Sequence, residues 1–296
     1  MDRIAQQPRV GSVKSVSPGG FHEVFYTDWG DPAAQRVIVC VHGLTRNGRD
    51  FDALAASLAT ALPARVICPD VAGRGRSQWL NDPLHYGYPQ YIADMTALLA
   101  QLRIARVDWI GTSMGGLIGM FLAASSPPMA STMSPIRSLV MNDVGPVLSR
   151  AALERIAGYV GTDARFGNLA EVEAHLRRIH APFGPLTDRQ WQHLVLHGHR
   201  FNADGSYGLA YDPKIGVNVK LAVQDWDFWS VWDTVASPTL VMRGQESDLL
   251  SADTFDAMSK RGPKTDLATF EGIGHAPALM SGDQIETVVQ WLARES

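Results

Sequence analysis

The sequence predicts an α/β fold, a doubly wound and mostly parallel sheet interrupted by one inserted block of helices. Three observations predict it. Apolar, β-branched runs alternate with segments of helical apolar spacing through the first half of the chain. The alternation stops near Leu148 and resumes at Pro238. Between a strand-like and a helix-like segment stands Gly111-Thr112-Ser113-Met114-Gly115, a G-x-S-x-G pattern that calls for a sharp strand-to-helix turn.

Val37–Val41 (VIVCV) is a continuous apolar run, the mark of a strand buried on both faces. Phe51, Leu54, Ala55 and Leu58 then recur at i, i+3, i+4 and i+7, which is helical spacing. Arg65–Cys68 reads as the next strand, closed by Pro69-Asp70, and a helix carrying Ile92, Met95 and Leu99 follows. Arg106–Ile110 is a strand that runs into the glycine-rich turn, and Leu117–Ala124 continues from that turn as a helix. Ser138–Met141 is a further strand, ended by Asn142-Asp143-Val144-Gly145-Pro146.

Beyond it, AALERIAGYV, NLAEVEAHLRRIH and TDRQWQHLVL read as helices with no strand between them, up to the aromatic stretch DWDFWSVWD. Pro238–Met242 and Leu267–Phe270 restore the strand pattern, and a last helix places Ile285, Val288, Val289 and Leu292 on one face. The expected division is a core of residues 1–146 and 234–296, with a helical cap, 147–233, inserted after the strand ending at Met141.

Composition narrows the function. The chain has 296 residues, is 46% hydrophobic and 19% charged, and carries a net charge of −4. That balance disfavours nucleic acid as a partner. No apolar run approaches the roughly 18 residues a membrane span needs. The opening MDRIAQQPRVGSV has no apolar core of a secretory leader, so a cytoplasmic location is the expectation. The two cysteines, Cys40 and Cys68, cannot frame a disulfide scaffold and read as reduced core residues. Oligomeric state is not legible.

The chemistry centres on Ser113. A serine hydroxyl attacks well only when a base takes its proton, and the oxyanion so formed needs preplaced N–H donors. A tight turn would lift the side chain clear of the sheet, and its crowding demands glycine two residues to either side. Gly111 and Gly115 meet that demand, and Gly116 lets helix and strand approach.

These motifs, with His42-Gly43, Asp70-x-x-Gly73-x-Gly75-x-Ser77 and the elbow in that order, resemble the α/β-hydrolase fold family over nearly the whole chain. The resemblance implies a nucleophile–acid–histidine order. His275, in Glu271-Gly272-Ile273-Gly274-His275-Ala276-Pro277, resembles the catalytic histidine loop, and His42 the structural histidine beside the oxyanion loop. For the acid, family position favours Asp248 after Pro238–Met242, with Asp143 as the alternative and Glu246 third. The oxyanion donors expected are the backbone amides of Leu44 and Met114. Arg46, Trp226 and Trp229 are expected substrate contacts, whereas Asp70 and Arg74 read as loop structure.

His193, His197 and His199 have a spacing that hints at metal, but no carboxylate motif accompanies them, so neither metal nor cofactor is expected. The resulting expectation is a serine hydrolase of carboxylic esters or lactones, acting on a small molecule through an acyl-enzyme. Serine at position 113 argues against the dehalogenase and epoxide hydrolase branches, which use aspartate there, and against cysteine-dependent dienelactone hydrolases. Carbon–carbon bond hydrolases of meta-cleavage products, cofactor-free perhydrolases and non-enzymatic ligand receptors on the same scaffold remain as alternatives.

Overall fold

The computed structural model describes residues 7–125 and 134–295. Residues 1–6, part of the stretch read for a leader, lie outside the described residues.

Eight strands form the main sheet: β1 (Arg9–Ser17), β2 (Gly20–Trp29), β3 (Arg36–Val41), β4 (Ala64–Pro69), β5 (Val107–Thr112), β6 (Ile136–Asn142), β7 (Thr239–Gly244) and β8 (Thr265–Phe270). Their spatial order is β1-β2-β4-β3-β5-β6-β7-β8. Every pairing from β4 to β8 is parallel, whereas β1 with β2 and β2 with β4 are antiparallel. The β1–β2 hairpin was not among the expected strands. At the sheet edge, β1 alternates polar and apolar residues and leaves Val10 and Val16 exposed, so it lacks the dense apolar signal of the central strands.

Helices α1 (Asp52–Ala61), α2 (Tyr88–Gln101) and α3 (Met114–Ala124) precede the interruption, and α9 (Ala252–Met258) and α10 (Gly282–Arg294) follow it. The sheet divides the core in two. Ile38, Cys40, Val66, Ile110, Val140 and Met242 face α1 and α10, packing on Phe51, Leu58, Val288 and Trp291. Val39, Val41, Ile67, Trp109, Leu139 and Met141 face α2 and α3, packing on Met95, Leu98, Leu117 and Ile118. Successive residues of a strand thus enter opposite layers, which is why runs such as VIVCV are apolar throughout. Each such aliphatic side chain, fully buried, contributes about 1.5–3 kcal/mol before entropy is counted.

Cys40 and Cys68 are free and buried on neighbouring strands. Burial, and then the adjacent Cys40 thiol, push the Cys68 thiol well above its usual range.

Residues 147–232 contain α4 (Arg150–Ala157), α5 (Leu169–Ile179), α6 (Asp188–Gly198), α7 (Ile215–Leu221) and α8 (Trp229–Trp232), and no strand of the main sheet. Two short ribbons accompany them, one pairing Val147–Leu148 with Trp226–Asp227 across the two ends of the segment. Val172, Leu176, Trp191, Leu194 and Val195 form a separate small core under α5 and α6. Three of the helix starts are marked chemically: Ser149, Asn168 and Thr187 cap α4, α5 and α6, and at the last Gln190 Oε1 accepts the Thr187 amide in return. Among the described residues no helix is long and apolar enough to cross a membrane.

Candidate active site

The turn from β5 to α3 is steric in origin. Ser113 has φ of 52° and ψ of −116°, the left-handed half of the map that non-glycine residues rarely enter. The chain can bend so sharply because its flanks have no side chains. A Cβ on Gly111 would sit 2.2 Å from the Gly115 carbonyl, and one on Gly115 would sit 2.0 Å from the Val41 oxygen. The backbone is pinned to the next strand by the Ser113 amide, which donates to Asn142 O at 2.9 Å.

His275 arrives from the loop after β8. Its Nε2 is 3.0 Å from Ser113 Oγ and its Nδ1 is 2.7 Å from Asp143 Oδ2. A carboxylate only accepts, so the ring proton sits on Nδ1 and Nε2 is left to receive the serine hydroxyl. The histidine loop is held from two directions. Asn142 Nδ2 donates to Pro277 O at 2.8 Å, and Gly274 N donates to Pro182 O of the insertion at 2.8 Å.

The carboxylate at His275 is therefore Asp143, not the expected Asp248. Asp143 follows β6 directly, with φ of 57° and a side chain fully shielded from solvent. Its Oδ1 accepts from Gly244 N at 2.8 Å and its Oδ2 from Ser247 Oγ at 2.6 Å. Asp248 points outward instead. Its side chain is 51% exposed and pairs with Arg155 of α4. The turn after β7 thus meets His275 indirectly, by donating an amide and a hydroxyl to the acid of the neighbouring strand. Ser247 has no sequence motif that would have singled it out.

The loop after β3 is built on a neutral histidine. His42 donates from Nδ1 to Gly43 O at 2.7 Å, and its Nε2 accepts the Val71 amide at 2.9 Å. Only an unprotonated Nε2 can do that. Burial, against a smaller raising effect from the Gly43 carbonyl, pushes the His42 pKa down to about 3. Asp70 is likewise structural, accepting from the Gly48 and Arg76 amides, and burial raises its carboxyl to about 6. Arg74 is wholly buried: Nε donates to Leu44 O at 2.8 Å, Nη1 to Ala72 O and Tyr91 Oη, and Nη2 lies 3.7 Å from Met114 Sδ. The two residues named for the oxyanion thus rest on one guanidinium. Met114 also opens α3, so its amide is among the N–H groups a helix leaves without an internal acceptor.

Arg46 is buried, grips Asp50 with Nε and Nη2 at 2.7 Å each, and turns Nη1 toward His180 Nε2 at 3.4 Å. The two tryptophans are engaged elsewhere. Trp226 stacks on Phe228 and donates to Ala222 O, and the Trp229 ring lies beneath the Arg261 guanidinium. Trp232 is core, with Nε1 on Arg261 O. His199 turns back to bond its own helix at Val195 O, separating it from His193 and His197.

Comparison with known proteins identifies the family and the fold. The model of the alpha/beta hydrolase family matches residues 38–290. The chain is 43% identical to the 3-hydroxybutyrate-oligomer hydrolase of Cupriavidus necator, over 97% of this chain and 99% of that one. It is 26% identical, over 84% of its length and 91% of the relative's, to the pimeloyl-[acyl-carrier protein] methyl ester esterase of Xanthomonas campestris. The crystal structure of an alpha/beta hydrolase from Novosphingobium aromaticivorans superposes with a TM-score of 0.85 at 36% identity, covering 97% of this chain and 99% of that one. With a family model matching most of its length, a relative 43% identical from end to end and a solved structure of the same fold, the chain belongs to the α/β-hydrolase family.

Proposed function

We propose that this serine hydrolase cleaves the ester links of short hydroxy-acid oligomers of the 3-hydroxybutyrate type, through an acyl-enzyme on Ser113. The protein is a hydrolase of ester bonds. The observation that carries the mechanism is the continuous chain Ser113 Oγ–His275 Nε2, His275 Nδ1–Asp143 Oδ2. His275 takes the serine proton as Oγ attacks the ester carbonyl, and Asp143 holds the imidazole and balances its charge. The protonated Nε2 then gives its proton to the departing alkoxide. Water, deprotonated by the same nitrogen, releases the acid and restores the serine.

We assign the oxyanion to the backbone amides of Leu44, whose neighbour Gly43 lies against Ser113 Cβ, and of Met114, the residue after the nucleophile. Arg74 supports both, because its charge bears on the Leu44 carbonyl and the Met114 side chain. The substrate class rests on the relative that matches end to end. Arg46, the contact expected from the sequence, is buried and already neutralised by Asp50, so no substrate contact is assigned to it. Residues 147–233 are read as a cap over Ser113 that gives the pocket its size and keeps water out during acylation.

The direct test is hydrolysis of the 3-hydroxybutyrate dimer and trimer beside p-nitrophenyl butyrate. The expected result is cleavage of the oligomers by the wild type and none by Ser113→Ala. Inertness of the wild type on oligomers and on esters of every chain length would sink this reading.

A further inference from the structure

The sequence motif His193-x-x-x-His197 carries no carboxylate of its own, and the fold supplies one from far away. Asp52, the first residue of α1, comes up against α6, so that one ligating atom from each of Asp52, His193 and His197 lies within 4.8 Å of the others. His193 Nε2 is 3.6 Å from Asp52 Oδ2. The two imidazoles stand edge to face with centroids 4.7 Å apart, one turn of α6 separating them. All three residues are half-buried, which fixes their positions yet leaves a route for a small ion.

We propose that Asp52, His193 and His197 form a binding site for a divalent first-row transition cation of the zinc class. Two imidazoles and one carboxylate are the donor types such ions prefer, and water would complete a tetrahedron. No residue of the triad is a ligand, so the ion is a clamp and takes no part in acyl transfer.

In the ion-free protein a cation already balances this carboxylate. Arg49 places Nε 2.9 Å from both Asp52 oxygens and Nη2 2.5 Å from Oδ2. Its side chain is 27% exposed, so it can leave for solvent when a divalent ion arrives. His193 now donates Nε2–H to Arg49 O at 2.8 Å. Binding through Nε2 moves that proton to Nδ1, with the imidazole remaining neutral.

The consequence is mechanical. α6 belongs to the insertion and Asp52 to the core, so the ion would tie the two together. The tie falls beside the loop that follows Leu44. Asn47 Nδ2 donates to His197 O at 2.8 Å, and Gly198 packs on the Arg46 guanidinium.

The experiment is titration of chelator-treated protein with Zn²⁺ by calorimetry and with Co²⁺ by visible absorption. One ion per chain is expected, with a rise in Tm. His193→Ala and His197→Ala should each weaken binding about tenfold or more. Arg49→Gln, which removes the competing cation, should tighten it, and circular dichroism should show each variant folded. Absence of binding by the wild type overturns the proposal. So does binding that both histidine variants retain, or a Co²⁺ spectrum lost only on His275→Ala, which would put the ion on the triad.

Discussion

His275 Nδ1 lies 2.7 Å from Asp143 Oδ2, while Asp248, after the neighbouring strand, turns away to pair with Arg155. A carboxylate that orients the base does so only by contact, and of these two aspartates it is Asp143 that makes it. Asp143→Asn should lower kcat by several orders of magnitude, about ten-thousandfold, because the amide favours the wrong tautomer of His275. Asp248→Asn should leave kcat within a few-fold of wild type. Steady-state kinetics on p-nitrophenyl butyrate decide between them, and the reverse ranking would restore Asp248.

Ser247 extends the same network by donating to Asp143 Oδ2 at 2.6 Å. A hydrogen bond to a charged, buried oxygen contributes about 1.5–3 kcal/mol. Ser247→Ala should therefore lower kcat by roughly tenfold to a hundredfold with little change in KM. A change confined to KM would show that Ser247 acts on substrate rather than on the acid.

The elbow glycines are steric requirements. A Cβ at Gly115 would meet the Val41 oxygen at 2.0 Å, and that oxygen is backbone, not a side chain that can swing aside. Gly115→Ala is expected to destabilise the fold by about 1–3 kcal/mol, the range for overpacking, and to displace Ser113. Urea denaturation measures the first effect and kcat the second. A variant with wild-type stability and activity would contradict the steric account.

His42 makes stability sensitive to acid. Its folded pKa, about 3, lies below the unfolded value of 6.5, so the unfolded chain binds the extra proton first. Its contribution is full above pH 6.5 and is lost as pH falls toward 3, at up to about 1.4 kcal/mol per pH unit. His42→Gln should start less stable at neutral pH, through loss of the Val71 and Gly43 bonds, and the gap to wild type should narrow on acidification. Denaturant midpoints at pH 7, 5.5 and 4 test this, and a gap that widens would reverse the sign.

The elbow was readable because its chemistry is local. Crowding at Ser113 requires glycine at fixed spacing, and a strand and a helix must flank it. His275 and His42 were readable because their loops resemble the catalytic and structural histidine loops of the α/β-hydrolase family. The acid was not, because β6 and β7 are parallel neighbours whose exits open at the same edge of the sheet. Two aspartates, Asp143 and Asp248, leave those exits, and nothing in either segment states which one turns inward. Trp226 and Trp229 mark the same boundary: an aromatic cluster is visible in the sequence, but the Phe228 and Arg261 that occupy those rings are not.

The sequence by itself determined the strand–helix alternation, its interruption, the nucleophile and the base. The alternation and its interruption depend on periodicity and the nucleophile on the sterics of a few adjacent residues, whereas the base was legible through the resemblance of its loop to the family's histidine loop. Only the tertiary structure decided which carboxylate reaches His275, that Ser247 supports it, and that Asp52 comes to stand beside His193 and His197. Those are contacts across about 100 residues or more of chain, set by strand order and by how the insertion docks on the core, and no local pattern encodes them.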